Sequence, residues 1–152
     1  MSEIEGSAAE VIEGYKSAVA ARDIAAFMGL YDPAVRVFDA WGVWSYEGIP
    51  AWQAAIEAWF GSHPADRFEV AFDDVRSVAT PAFIHVSAIV TYAVVSTQGD
   101  LLNAMQNRLT WVVETAGQVP RIIHEHTSSP LGLEDRKAIL QWPGKVLDGR
   151  SA

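Results

Sequence analysis

The sequence predicts an α+β protein in which N-terminal helices cover one face of a strongly curved antiparallel β-sheet. Apolar residues recur at helical spacing over the first sixty positions, and long β-branched segments dominate the second half. Helices followed by long meandering strands are typical of α+β domains rather than of alternating α/β domains. We expect a single domain over residues 1–152, with a core of about 8–131 and a C-terminal tail of 134–152.

Three helices and one strand are expected in the first half. Apolar residues in each helix fall on one side, as a helix covering a core requires. Asp23 is a suitable N-cap for the second helix, and Asp32-Pro33 is expected to end it. The expected elements are a helix from Ser7 to Arg22, a helix from Asp23 to Tyr31, a strand from Val35 to Asp39, and a helix from Gly48 to Gly61.

The second half predicts four strands and a tail. Asp73-Asp74 breaks the first alternating pattern as a bulge would, and Gln98-Gly99-Asp100 is a hairpin signal. Residues 134–152 are mostly polar and are expected to form a loosely held tail. The expected strands are Phe68 to Phe72, Phe83 to Ser96, Leu101 to Glu114, and Val119 to Thr127.

Charge and composition exclude several classes of function. The chain has 11 Lys+Arg against 19 Asp+Glu, a formal net charge of −8, which disfavours binding to nucleic acid or to an anionic membrane surface. It has no cysteine, which excludes disulfides, thiol nucleophiles and cysteine-ligated metals. The acidic N-terminus does not resemble a signal peptide, so we expect a cytoplasmic protein. Nucleotide-binding glycine loops are absent, and no cofactor is expected.

The strand from Phe83 to Ser96 is apolar on nearly both faces. Such a strand needs cover on both sides, and the chain has few helices to supply it. We therefore expect a homodimer that forms through the β-sheet.

Three polar residues lie on faces that are otherwise apolar. Asp39 follows Val35 and Val37 on one strand face, Tyr15 lies on the apolar stripe of the first helix, and Asn107 lies on an apolar strand face. A desolvated aspartate is a suitable general base, and a phenol and an amide can stabilise an oxyanion. Structural roles compete with this interpretation, because a buried aspartate can bond to backbone and a buried tyrosine can belong to the core.

An aromatic-lined cavity is expected beside Asp39. Four of the six tryptophans lie between Trp41 and Trp59; two of these, Trp52 and Trp59, are expected in the core. The ligand, which we expect to be small and apolar or amphipathic, is expected to contact Trp41, Trp44, Trp111, Asn103, His124, His126 and Arg108.

Two of these assignments have structural alternatives. His124 and His126 share one strand face, which allows either a metal site or hydrogen bonds to the following turn, and no third metal ligand is evident. We expect no metal. Arg108 meets the ligand's polar group in one interpretation and is a solvated or interface residue in the other.

Two segments resemble a known family. Residues 15–42, YKSAVAARDIAAFMGLYDPAVRVFDAWG, resemble the opening of the SnoaL-like and ketosteroid isomerase-like branch of the nuclear transport factor 2-like superfamily. Residues 121–130, RIIHEHTSSP, are similar to the last strand of SnoaL-like proteins and of the calcium/calmodulin-dependent protein kinase II association domain. The resemblance implies a cone-shaped fold around an apolar cavity.

The resemblance also implies site roles. Asp39 matches the position of the isomerase base, and Tyr15 matches the oxyanion-binding tyrosine. Asn107 stands where those isomerases have a protonated aspartate, and an amide can still donate a hydrogen bond. Ala40 and Trp41 replace the smaller turn of the isomerases, which argues against a steroid-sized pocket.

Two hypotheses of function follow. In the first, the chain is a small-molecule enzyme of isomerase, cyclase or dehydratase type, in which Asp39 removes a proton next to a carbonyl group. In the second, it is a non-catalytic ligand-binding or oligomerisation domain that resembles the kinase II association domain. The fold permits both, because this superfamily hosts many functions.

Overall fold

The computed structural model describes residues 6–147. Helices come first and the long strands follow, as the sequence predicts. The α-helices are α1 (Gly6–Ala21), α2 (Ile24–Met28) and α3 (Ile49–Gly61). The strands are β1 (Tyr31–Phe38), β2 (Tyr46–Glu47), β3 (Arg67–Ala79), β4 (Phe83–Val95), β5 (Leu101–Glu114) and β6 (Arg121–Ser128).

Six strands form one sheet in the order β2-β1-β6-β5-β4-β3. The sheet is antiparallel, as expected, except at one position, where β1 and β6 run parallel. A parallel pair needs a long crossover connection, and the whole of α3 and β3 to β5 supplies it. The bulge expected at Asp73-Asp74 is present: the register between β3 and β4 shifts between Asp73 and Arg76, which helps the sheet to curl.

The helices cover the concave face of the sheet. The inward side of α1 carries Val11, Tyr15 and Val19, all buried, and α3 contributes Trp52 and Ile56. These side chains join the buried residues of β1 and β3 to β6 in one apolar core. Burying such side chains stabilises the fold by roughly 1.5–3 kcal/mol each.

Tyr31 begins β1 and does not belong to the second helix, where the sequence placed it. Its ring is buried in the core. For this reason the residue fits the apolar spacing of the second helix, although it lies in a strand. Pro33 lies inside β1, in the segment where the pairing with β6 is interrupted between Tyr31 and Arg36. A proline is tolerated there because no ladder hydrogen bond is required from its nitrogen.

Arg22 ties the end of α1 to the segment that follows α3. It adopts a left-handed conformation with φ of 52°, which glycine more often adopts at a helix end. Its guanidinium donates to four carbonyl oxygens, those of Phe60, Ser62, His63 and Asp66, at 2.6–2.8 Å. The guanidinium also lies over the Phe68 ring, 3.9 Å from its centroid. One side chain therefore fixes the loop between α3 and β3.

The sequence suggested a loosely held tail over 134–152, but residues 134–147 are anchored to the sheet; residues 148–152 lie outside the described residues. β6 pairs with β5 only as far as Arg108, and the tail takes over at Gln106. The backbone N–H of Gln106 donates to the Leu140 carbonyl, and its side-chain Oε1 accepts from the Trp142 N–H at 2.6 Å. Lys145 donates to Asp73 at 3.0 Å. Backbone groups of the tail and the Lys145 side chain thus meet polar partners on the convex face, which hydropathy alone does not reveal.

Among residues 6–147, no helix is long and apolar enough to cross a membrane.

Candidate functional site

A cavity of about 460 Å³ lies between the helices and the concave face of the sheet. Its walls are largely aromatic, as the tryptophan cluster predicts, and its size suits a small organic molecule. Side chains from α1, α3, β3, β4, β5 and β6 reach it, together with the loop that follows β1. The rings in its walls are Tyr15, Trp41, Tyr46, Trp52, Trp59, Phe68 and Tyr92.

Asp39 lines this cavity, directly after β1. It follows Val35 and Val37 on the inward side, so the strand alternation places its half-buried carboxyl group at the cavity wall. Burial raises the pKa of Asp39, while hydrogen bonds from Thr127 and from the backbone N–H groups of Trp41 and Ala40 lower it. The Thr127 hydroxyl donates to Oδ1 at 3.0 Å and accepts from the Ala40 N–H at 2.9 Å. The carboxyl group is thus oriented and partly desolvated.

Tyr15, Tyr92 and Asn107 form a second polar group at the cavity wall. The hydroxyl oxygens of Tyr15 and Tyr92 are 3.5 Å apart. A hydrogen bond from Asn107 lowers the pKa of Tyr92, but burial outweighs it and raises that pKa overall. Burial likewise raises the pKa of Tyr15 well above its ordinary value. Both phenols therefore stay neutral and can donate hydrogen bonds.

Asn107 is only 6% exposed, and its Oδ1 has no hydrogen-bond partner within residues 6–147. A buried carbonyl oxygen without a partner costs about 1–3 kcal/mol. Because Asn107 lines the cavity, a ligand with an N–H or O–H donor can satisfy this oxygen.

Glu125 on β6 is a site residue that the sequence analysis missed. It is 2% exposed and lines the cavity. Its Oε1 accepts two hydrogen bonds, from the Tyr31 hydroxyl at 2.6 Å and from the Trp111 indole N–H at 2.8 Å. Burial raises the pKa of Glu125 to about 7, although both hydrogen bonds lower it, and the charge of Asp39 adds to the rise. Three acidic residues therefore line the cavity in different environments: Glu125 is buried, Asp39 is half-buried and Glu69 is exposed.

The structure brings part of the expected ligand-contacting set to the cavity. Trp41 and Asn103 line it together with Asp39, Tyr15 and Asn107. Trp111 is fully buried behind the wall, where it contacts Tyr15 and holds Glu125. Trp44 is 97% exposed and borders an outer depression that shares Asp39 and Trp41 with the cavity.

His124, His126 and Arg108 lie on the convex face, and they are not among the residues that line this cavity. Arg108 is exposed and donates to Ser128 at 3.1 Å. His124 Nδ1 donates to the Arg36 carbonyl at 2.8 Å, and both histidine rings stack edge-on against Phe38. The expected bonds to the following turn are replaced by these contacts.

A bulge explains why the histidines face outward and Glu125 faces inward. Val113 pairs with Ile122, but the next residue, Val112, pairs with His124, so Ile123 is an extra residue in β6. One extra residue switches every later side chain to the other face. Within the described part of the chain, no group of three metal-ligating side chains comes together.

The helices on a curled sheet and the cavity between them define a cone-shaped α+β protein with an internal, aromatic-lined cavity. The chain belongs to the SnoaL-like domain family, whose model matches residues 8–132. A search of curated proteins finds no match.

Solved structures share the fold at low identity. A nuclear transport factor 2-like protein of unknown function from Pseudomonas putida is 22% identical, with a TM-score of 0.78 over 88% of this chain and 92% of that one. The benzoate 1,2-dioxygenase β subunit of Burkholderia mallei is 11% identical, with a TM-score of 0.67 over 84% and 92%. A Xanthomonas campestris protein assigned to the calcium/calmodulin-dependent protein kinase II association domain is 16% identical, with a TM-score of 0.62 over 79% and 83%.

Proposed function

We propose that this chain is a small-molecule enzyme that needs no cofactor and in which Asp39 removes a proton from a carbon next to a carbonyl group. One observation carries the proposal: the Asp39 carboxyl group is held in orientation at the wall of an apolar cavity. Desolvation makes a carboxylate a stronger base than it is in water, and its raised pKa is the measure of this.

The remaining polar groups suit the same reaction. When Asp39 takes the proton, the electrons of the C–H bond move to the carbonyl oxygen and form an enolate. The neutral hydroxyl of Tyr15 and the amide of Asn107 can donate hydrogen bonds to that oxygen. Return of the proton from Asp39 to another carbon completes an isomerisation. Attack of the enolate carbon on a second carbonyl group of the same molecule, whose oxygen takes the proton from Asp39, completes a cyclisation. Loss of a hydroxyl group, which leaves as water with the proton from Asp39, completes a dehydration. The site therefore supports isomerase, cyclase or dehydratase chemistry.

The test uses 5-nitrobenzisoxazole, a planar neutral compound that reports on a placed base. The base removes its C–H proton while the N–O bond breaks, and the nitrophenolate formed is coloured. We expect turnover by the natural chain and a loss of about 10²–10⁴-fold in Asp39→Asn, the contribution of a placed base. Asp74→Asn is the matched control, because Asp74 is exposed and its left-handed φ of 48° suits asparagine. Equal rates in the natural chain and Asp39→Asn would refute the proposal.

A second candidate function is a non-catalytic binding or assembly domain. The likeness to kinase II association-domain proteins favours it, as do exposed apolar side chains on the sheet, among them Val78 and Leu102. In that case the chain forms a dimer or larger ring through the convex face. Light scattering of the natural chain and of Leu102→Glu measures this, with dissociation expected in the variant. Asp39→Asn should then leave ligand affinity unchanged.

A further inference from the structure

Within the described part of the chain, neither buried Glu125 nor half-buried Asp39 is paired with a cation. No lysine or arginine of these residues lines the cavity, and its one histidine, His63, lies 3.7 Å from the carboxylate of Asp66. The ion pairs formed within residues 6–147 involve neither Asp39 nor Glu125. Glu69 also lines the cavity, but its carboxylate is exposed and pairs with Arg67 at 2.9 Å. An ionised carboxylate taken out of water without a partner is costly, and a positively charged ligand offsets that cost.

The hydrogen-bonding groups at the wall also favour a ligand that donates. Oδ1 of Asn107 is a buried acceptor without a partner. Glu125 adds a carboxyl group. The hydrogen bonds from described side chains all end on its Oε1, so its Oε2 can accept from a ligand. An ammonium group brings three N–H donors and no acceptor, so it matches this excess of acceptors.

The aromatic rings of the cavity wall also favour a positively charged ligand. The rings of Trp59 and Tyr92 lie 5.8 Å apart, and Trp52 and Tyr46 pack at 5.3 Å, so several π-faces border one cavity. A cation over such a face is attracted by the negative face of the ring, and more strongly when water is excluded. A carboxylate ligand would meet the same rings and the two acidic groups without any compensating cation.

We propose that the cavity binds an amine, with its ammonium group at Glu125 and Asn107 and its apolar part against the aromatic walls. This proposal rests on the proposed function in one respect, which is that the substrate binds in this cavity. It narrows the substrate class to neutral or positively charged molecules and excludes carboxylates and phosphates. Asp39 remains free to act as the base.

The proposal carries a pH dependence, because only ionised Glu125 attracts the cation. The titratable groups around Glu125 are Tyr31, Tyr15 and Tyr92, whose raised pKa values keep them neutral, and Asp39. With a pKa of about 7 for Glu125, the ionised fraction rises about tenfold between pH 6 and pH 8, and amine affinity rises with it.

The experiment compares three probes of one shape: 2-phenylethylamine, 2-phenylethanol and 3-phenylpropionate. Calorimetric titration of the natural chain at pH 8 should show the amine binding at least tenfold more tightly than the carboxylate. Between pH 6 and pH 8 the amine affinity should rise about tenfold while the affinity for the alcohol stays constant.

Two variants locate the effect. Glu125→Gln should abolish both the preference for the amine and its pH dependence, since the amide cannot ionise. Glu10→Gln, an exposed residue of α1, changes the net charge equally and should leave both intact. If Glu125→Gln fails to fold, the pH dependence of amine affinity in the natural chain still tests the proposal.

Carboxylate binding as tight as amine binding would overturn the proposal, and so would a flat pH profile or no binding of the amine. Any of these results leaves the base assignment standing, because that assignment is tested by turnover of a neutral compound and by Asp39→Asn.

Discussion

Thr127 donates a hydrogen bond of 3.0 Å to Oδ1 of Asp39 while it accepts one from the Ala40 N–H. A hydrogen bond to the charged form of an acid lowers its pKa, so Thr127→Val should raise the pKa of Asp39 further. The rising limb of the rate–pH profile with 5-nitrobenzisoxazole should therefore move to higher pH. Thr110→Val, on the convex face, is the control and should leave the profile unchanged. An unshifted limb in Thr127→Val would show that the rate does not depend on Asp39.

Glu125 makes stability depend on pH. Its pKa is about 7 in the folded chain against an ordinary 4.5, so between these values the folded state binds more protons than the unfolded state. Its stabilising contribution is full below pH 4.5 and is lost as the pH rises through 7, about 3 kcal/mol in all. Glu125→Gln should therefore gain stability relative to the natural chain between pH 5 and pH 8. Urea unfolding of both proteins at pH 5 and at pH 8 measures the free energy of unfolding. An equal change with pH in Glu125→Gln and in the natural chain would contradict the prediction.

Gln106 anchors the tail, since its side chain accepts from the Trp142 N–H and donates to Thr91 at 3.1 Å. Gln106→Ala should release the tail and lower the free energy of unfolding by about 1–3 kcal/mol, as expected when buried partners lose their bonds. Trypsin should then cleave after Lys145 faster than in the natural chain. Gln98→Ala, an exposed turn residue, should change neither quantity. Unchanged cleavage in Gln106→Ala would mean that other contacts hold the tail.

Arg22 should not tolerate lysine. Its planar guanidinium serves four carbonyl oxygens at once, and a lysine ammonium on a flexible stem cannot reproduce that geometry. Arg22→Lys should lower the free energy of unfolding by about 2–3 kcal/mol. Arg76→Lys is the control, since Arg76 is exposed and forms only a surface ion pair at 3.5 Å. Equal stabilities of the two variants in urea would refute the role of Arg22.

The sequence pattern predicts the helices, the long strands and the inward position of Asp39, because each depends on local periodicity. It does not predict that β1 and β6 run parallel, since strands separated by about ninety residues carry no signal of their direction. It also misplaces Tyr31, because a buried ring at the junction of α2 and β1 fits either element.

Glu125 was missed for a specific reason. In the sequence His-Glu-His, the two histidines suggest a functional face, and uninterrupted alternation puts them beside Ile122. The extra residue Ile123 reverses the alternation, and a single sequence does not reveal a bulge without its partner strand. One signal in the sequence could have indicated Glu125: Thr127, two residues later, lies on the same strand face. In the structure both side chains are buried.

The parallel pairing of β1 with β6 has a consequence for the order of events during synthesis. Asp39 and Tyr31 leave the ribosome about ninety residues before Thr127 and Glu125, their hydrogen-bond partners. Contacts this distant in sequence form late, after the intervening loops have closed. A nascent chain that ends before residue 121 therefore lacks both Glu125 and the Thr127 hydroxyl that orients Asp39. The candidate site is complete only when the last strand lies between β1 and β5, two strands that are made before it.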